Sequence, residues 1–165
     1  MSIPIVVVNS TPIILLQKVG QLELLNLLYS KVYIPESVYK EVIEGGNNKN
    51  ADGDFISAHS FIEVVPVQNA EVKRLFSSSL HEGEVETIML AMEKSADLCI
   101  LDDLLARKYA KNAGFNITGT LGVLLLAKRK GYVKVVKPIM DKLIDVGMFV
   151  DDNLYASVLD IADEK

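Results

Sequence analysis

Five short runs suited to buried strands, spaced between helical patterns, constrain this chain more than anything else in it. Ile3 to Val8 is continuously apolar and mostly β-branched, and it stops at Asn9-Ser10-Thr11-Pro12. Lys31 to Ile34, Leu98 to Leu101 and Asn116 to Thr118 read as further strands, and Ile62 to Val67 as a short one. Pro66, near the end of that last run, puts it at a sheet edge, because proline donates nothing to a ladder. Strands that are apolar on both faces belong in a parallel sheet covered by helices on each side. Strands alternating with helices give the same answer, an α/β domain with a central parallel sheet.

The helices start and stop where local chemistry places them. Asn9, Ser10 and Pro12 form a helix start, since short polar side chains accept orphan amides and proline suits the first turn. A second pattern runs from Leu22 to Tyr29, and a third follows Pro35. Gly45 to Asp54 has the composition of an exposed connection. A weak helical segment over Asn69 to Phe76 and a Ser77-Ser78-Ser79 turn come next. Further helices are expected from Asp103 to Asn112, from Gly119 to Lys130, from Lys134 to Val146 and from Asp152 to Ala162. At 165 residues the chain reads as a single domain over 1–165, with 134–165 as a helical extension. The extension offers apolar positions at Val135, Ile139, Leu143 and Val146, then Leu154, Val158 and Ile161. These serve either the chain's own core or a homodimer interface.

Half the residues are apolar and 24% charged, the balance of a globular protein. The net charge of -5 leaves no overall basic footprint, so nucleic-acid binding would have to be local. Bases are concentrated between Leu104 and Lys142, where Arg107, Lys111, Lys128 and Arg129 stand among nine against the single acid Asp141. One cysteine, Cys99, excludes an intrachain disulfide and suits a reducing compartment. With no signal-peptide pattern and no apolar run approaching ~20 residues, a soluble cytoplasmic protein with no membrane association is expected.

The richest stretch is Leu80 to Asp103. His81-Glu82-Gly83-Glu84-Val85-Glu86 opens an amphipathic helix with three carboxylates in its first turns, and the strand Leu98 to Leu101 runs straight into Asp102-Asp103. Acids at the carboxyl end of a buried strand sit where open α/β sheets place their ligands. Most candidates have an ordinary explanation. Asn9 or Asp102 can cap a helix, and Glu84 can complement a helix dipole. Glu41, in mid-helix on the stripe of Val38 and Val42, is not explained by capping. Together they suggest a site for a hard divalent ion such as Mg²⁺, which takes carboxylate and water oxygens and promotes phosphodiester cleavage. Zinc chemistry lacks its spacing in His59, His81 and Cys99, and the first strand is followed by no phosphate-binding glycine loop. A phospho-acceptor domain fails on order, because the acid pair follows a late strand. His81 receives no role.

Five landmarks in order carry a family resemblance: Val6 to Ile13, Ile34 to Val42, Leu80 to Glu86, Leu101-Asp102-Asp103 with Ala106-Arg107, and Thr118 to Leu124. With these the chain resembles PIN domains, in particular a prokaryotic subgroup similar to toxin ribonucleases of the VapC type. The resemblance implies a three-layer α/β/α sandwich and a Mg²⁺- or Mn²⁺-dependent ribonuclease, including toxins of toxin–antitoxin pairs. It implies a metal cluster matched here by Asn9, Glu41, Glu84 and a fourth acid that falls on Asp103 or its neighbour Asp102, with Asp102 a catalytic acid either as ligand or as support beside Asp103. Thr118 and Thr120 would support that cluster.

One position departs from the family. The first acid is normally Asp, and Asn9 offers a neutral carbonyl oxygen, removing one charge from the cradle. The expected function is therefore a metal-dependent endoribonuclease weakened at Asn9, with Arg107, Lys111, Lys128 and Arg129 holding single-stranded RNA and an antitoxin protein as a possible partner. The rival is a catalytically weak or inactive PIN-fold module that binds RNA or a protein.

Overall fold

The five runs form one all-parallel sheet: β1 (Val6–Val8), β2 (Val32–Ile34), β3 (Ile62–Val64), β4 (Leu98–Ile100) and β5 (Ile117–Thr118). The structure is a computed structural model and describes residues 3–45, 52–76 and 78–165. Strand order is β3-β2-β1-β4-β5, with β3 at an edge as Pro66 requires. The strands are shorter than the apolar runs because pairing limits them. Val6 is opposite Leu98 and Val8 opposite Ile100, and Ile3, beyond that register, is exposed.

Side chains alternate across the sheet with the period of two that strands impose. Val6, Val8 and Ile100 join one apolar cluster, whereas Val7, Cys99 and Leu101 join another. Both faces are thus covered, which makes the molecule an α/β/α sandwich. The first cluster is built with α1 (Ser10–Lys18), α2 (Glu23–Tyr29), α3 (Glu36–Gly45) and α7 (Thr120–Arg129). The second is built with α5 (Glu82–Lys94) and α6 (Leu104–Asn112). Helix α3 touches both α1 and α5, so it bridges towards the second layer.

Two stretches differ from the sequence reading. A helix, α4 (Asp52–Ala58), begins inside the stretch read as a connection, and Phe55 buries its ring from it; residues 46–51 of that stretch lie outside those described. The weak segment before the serines is a 3-10 turn over Ala70–Leu75, and Ser77 lies outside the described residues.

The end of the chain folds as α8 (Lys137–Asp145) and α9 (Asp152–Ile161). Helix α8 starts three residues later than expected, with Pro138 in its first turn, where a missing amide hydrogen costs nothing. Its buried stripe is Val136, Met140 and Leu143, with Val135 exposed. On α9 Val158 and Ala162 are buried, while Leu154 is exposed and Ile161 is 69% exposed. Of the expected positions, Leu143 and Val158 are buried and Ile139 and Val146 pack half-buried against the same cluster, so the stripe faces the chain's own first cluster, with Val135, Leu154 and Ile161 on its exposed margin. Glu164 locks this arrangement: its carboxylate accepts the amides of Val136 and Lys137 at 2.7 and 2.9 Å and pairs with Lys128 at 2.8 Å.

Candidate functional site

Strand order sets the location. The chain winds outward from β1 to β3 on one side and from β4 to β5 on the other, so the direction reverses between β1 and β4. Such a switch point leaves a crevice beyond the strand ends. Asn9 follows β1 there, and its amide donates to the Ile100 carbonyl of β4 at 3.0 Å. Asp102 and Asp103 follow β4 at the same end.

Asn9 occupies the N-cap position of α1, yet its side chain makes no capping hydrogen bond. It is 3% exposed and its Oδ1 faces the hydroxyl of Thr87 at 3.4 Å. That contact is loose for a physical reason. Thr87 has one hydroxyl proton, and it goes to the Gly83 carbonyl at 2.7 Å. The ordinary explanation of Asn9 as a side-chain cap is therefore not realised.

Glu41 reaches the same end from α3. Its Oε2 accepts the hydroxyl of Ser10 at 2.6 Å. Its carboxylate lies against the bare Cα of Gly83, and a Cβ built there would stand 2.9 Å from Glu41 Cδ. Glu84 follows Gly83 in the first turn of α5, is 7% exposed, and accepts the backbone amide of His81 at 2.8 Å. That bond is half of a capping box, the ordinary role open to Glu at this position. Asp103 is the N-cap of α6, exposed, and accepts the Ala106 amide at 2.9 Å.

Electrostatics tie three of these together. Burial raises the Glu84 carboxyl above the ordinary glutamate value; the His81 hydrogen bond opposes this, and the negative charges of Asp103 and Glu41 add to it. Like charges within reach of one another disfavour ionisation. Among the described residues no lysine or arginine forms an ion pair with Glu41, Glu84 or Asp103.

The neighbouring acid is used otherwise. Asp102 Oδ1 accepts the Thr120 amide at 2.8 Å and Oδ2 its hydroxyl at 2.6 Å. Asp102 thus anchors the start of α7, a helix from another part of the chain, instead of capping α6. Gly119 makes this possible, since a Cβ there would stand 2.6 Å from Asp102 Oδ1 and 2.8 Å from Arg107 Nη1. Thr118 turns its hydroxyl against Gly122.

The model of the PIN-domain family matches residues 5–164. The chain belongs to the PIN-domain family. No curated protein matches the sequence. The PIN fold is of the nuclease type, and PIN domains generally use divalent metal ions. In this PIN domain, no three Asp, Glu, His or Cys side chains among the described residues form a group that could hold an ion as they stand. The donor chemistry nonetheless fits. The atoms on offer are hard oxygens, their charges repel, and Mg²⁺ keeps several waters while using only one or two protein carboxylates. No helix among the described residues is long and apolar enough to cross a membrane.

A cavity of about 880 Å³ is lined by Ser37, Tyr39, Lys73, Glu82 and Glu86 among others, and by none of Asn9, Glu41, Glu84 or Asp103. The four basic candidates divide. Lys111 and Arg129 are exposed. Lys128 is held by Glu164 and the Ala162 carbonyl, and Arg107 donates to the Leu101 carbonyl at 3.1 Å. Several residues of the site were missed in the sequence: Ser10, Gly83 and Thr87. Gly83 carried a signal, because glycine inside a helix costs about 1 kcal/mol and calls for a local reason.

Proposed function

We propose that this PIN domain is a metal-dependent endoribonuclease whose affinity for its ion is low. The observation that carries the reading is Glu84: a buried carboxyl raised by burial and by Asp103 and Glu41, with a divalent cation as its natural compensation. Glu84 and Asp103 would bind Mg²⁺ or Mn²⁺ directly or through its waters, with Glu41 beside them and the Asn9 carbonyl as a neutral donor. The ion, when bound, supplies charge neutralisation at a phosphate and a water of lowered pKa. The chain's part is to hold these oxygens at the switch point, to fix α7 through Asp102 and Thr120, and to present Lys111 to an RNA backbone. A toxin role with an antitoxin partner is consistent with this reading and adds no residue to it.

Asn9 favours a second reading, a PIN-fold module that binds RNA or protein with little or no cleavage. An amide contributes an oxygen but no charge, so the cradle is one charge short of the family pattern. The experiment that separates the two is a Mg²⁺ and Mn²⁺ titration with cleavage of unstructured RNA, for the native chain, Asn9→Asp and Asp103→Asn, with a chelator control. The nuclease reading expects Asn9→Asp to gain and Asp103→Asn to lose in both measurements. Binding of RNA with no metal dependence in any of the three supports the module.

A further inference from the structure

We propose that Ser10 and Gly83 are positioning residues for Glu41, forming a slot that fixes where its carboxylate stands; this rests on the reading of the cluster as a metal site. Glu41 projects from mid-helix in α3, where nothing in its own helix would hold the end of a flexible side chain. Two features from other elements do so. Ser10, in the first turn of α1 and 4% exposed, donates its hydroxyl to Glu41 Oε2 at 2.6 Å. Gly83, in the first turn of α5 and buried, offers a bare Cα on which the carboxylate rests. A methyl group there would stand 2.9 Å from Glu41 Cδ and 3.1 Å from Oε2, with Oε1 nearer still. The carboxylate would have to leave.

The slot also connects neighbouring parts of the site. Gly83 precedes Glu84, and its carbonyl takes the proton of Thr87, the residue that faces Asn9. One turn of α5 therefore sets the place of Glu41 by its missing side chain, carries Glu84, and spends the only proton of the hydroxyl beside Asn9. Helix propensity argues against glycine here, since alanine is the better helix former. Retention of glycine is explained by the space it leaves for Glu41.

The two explanations predict opposite results for Gly83→Ala. Propensity alone expects a melting temperature unchanged or higher and nothing else altered. The slot expects weaker metal binding, roughly 10-fold or more, the usual scale for residues that orient a ligand. Ser10→Ala should weaken binding in the same direction, and Ser10→Thr, which restores a hydroxyl, should recover part of the loss.

The test is a Mn²⁺ titration of the full chain and each variant, run with thermal melts and with the ¹³C resonance of the Glu41 side-chain carboxyl in metal-free protein. The expected result is a displaced Glu41 resonance in Gly83→Ala and Ser10→Ala, with the Asp97 resonance unmoved and Mn²⁺ affinity reduced. If Glu41 moves but neither the native chain nor Asn9→Asp binds Mn²⁺, the slot stands and the metal reading fails. If Mn²⁺ binds and the Glu41 resonance stays in place in both variants, the slot is overturned and the metal reading survives.

Discussion

Glu84 and Glu86 lie two residues apart on α5, and each is 7% exposed, yet their environments drive them in opposite directions. Burial is the largest influence on both and pushes both carboxyls up. At Glu86 it is outweighed. The Lys73 ammonium lies 2.5 Å from Oε2 and the Ser37 hydroxyl donates to Oε1 at 2.8 Å, so Glu86 ends below the ordinary glutamate value. At Glu84 the single backbone bond from His81 does not compensate, and Asp103 and Glu41 add like charge, so Glu84 ends above it. Two residues along a helix turn a side chain to a different face, which is enough to change its company. A buried acid paired with a cation, as Glu86 is with the Lys73 that it shares with Glu82, is a structural brace, whereas one facing other acids needs a charge that the fold does not supply.

The largest expected difference between the two is in metal binding. Glu84→Gln should weaken Mn²⁺ binding roughly 100-fold or more, above the range for losing an outer partner, whereas Glu86→Gln should leave it within about 2-fold. Gln keeps the capping-box bond of Glu84, because its carbonyl oxygen can still accept the His81 amide. Stability of the metal-free protein should show the reverse order. Glu86→Gln breaks a pair that is 9% exposed on the acid side and 33% on the lysine side, and should cost roughly 1–2 kcal/mol, below the range for a fully buried pair. Glu84→Gln should stabilise.

The pH dependence follows from the signs. Glu84 holds its proton more tightly folded than unfolded, so its ionisation costs stability as pH rises from 4.5 through its raised folded value. The gain from Glu84→Gln should thus be present at neutral pH and vanish in acid. Glu86 contributes stability above 4.5 that is lost as pH falls through its lowered value. Urea unfolding at several pH values, without metal, checks both.

Asn9→Asp would add a fourth acid beside Glu41, Glu84 and Asp103, at a 3% exposed position. Metal affinity should rise about 10-fold, which is ~1.4 kcal/mol. The melting temperature without metal should fall, since a buried carboxylate is added without a partner, and Mn²⁺ should restore it. The smallest effects should come from Asp102. Asp102→Ala loses both bonds to Thr120 and should cost about 1 kcal/mol, the usual value of a cap. Asp102→Asn keeps an acceptor and gains a donor, so it should change stability little and, unlike Asp103→Asn, leave metal binding intact.

Much of this was legible in the sequence because it depended on local pattern. The apolar runs gave the parallel sheet, and Pro66 its edge. Helix α4 was hidden because Gly53 and the two aspartates around it are loop formers, and its reason for existing is the burial of Phe55 against distant residues. On α8 and α9 periodicity marked Leu143 and Val158 correctly as part of the buried face, while Val136 and Met140 join it from positions beside the expected ones. At the site, Asn9, Glu41, Glu84 and Asp103 were readable as candidates from type, place and the family resemblance. The separate role of Asp102 was not, because Thr120 and Gly119 come from another strand end. Nor was the contrast of Glu84 with Glu86, since Lys73 and Ser37 reach Glu86 from 13 and 49 residues away.

The most direct test of the central claim is the titration of the Glu84 and Glu86 side-chain carboxyls by ¹³C NMR, without metal and with Mg²⁺. Glu84 should titrate above and Glu86 below the ordinary glutamate value in metal-free protein. Adding Mg²⁺ should then lower the Glu84 midpoint and leave that of Glu86 in place. A Glu84 midpoint that is ordinary without metal, or that does not respond at saturating Mg²⁺, would contradict that claim.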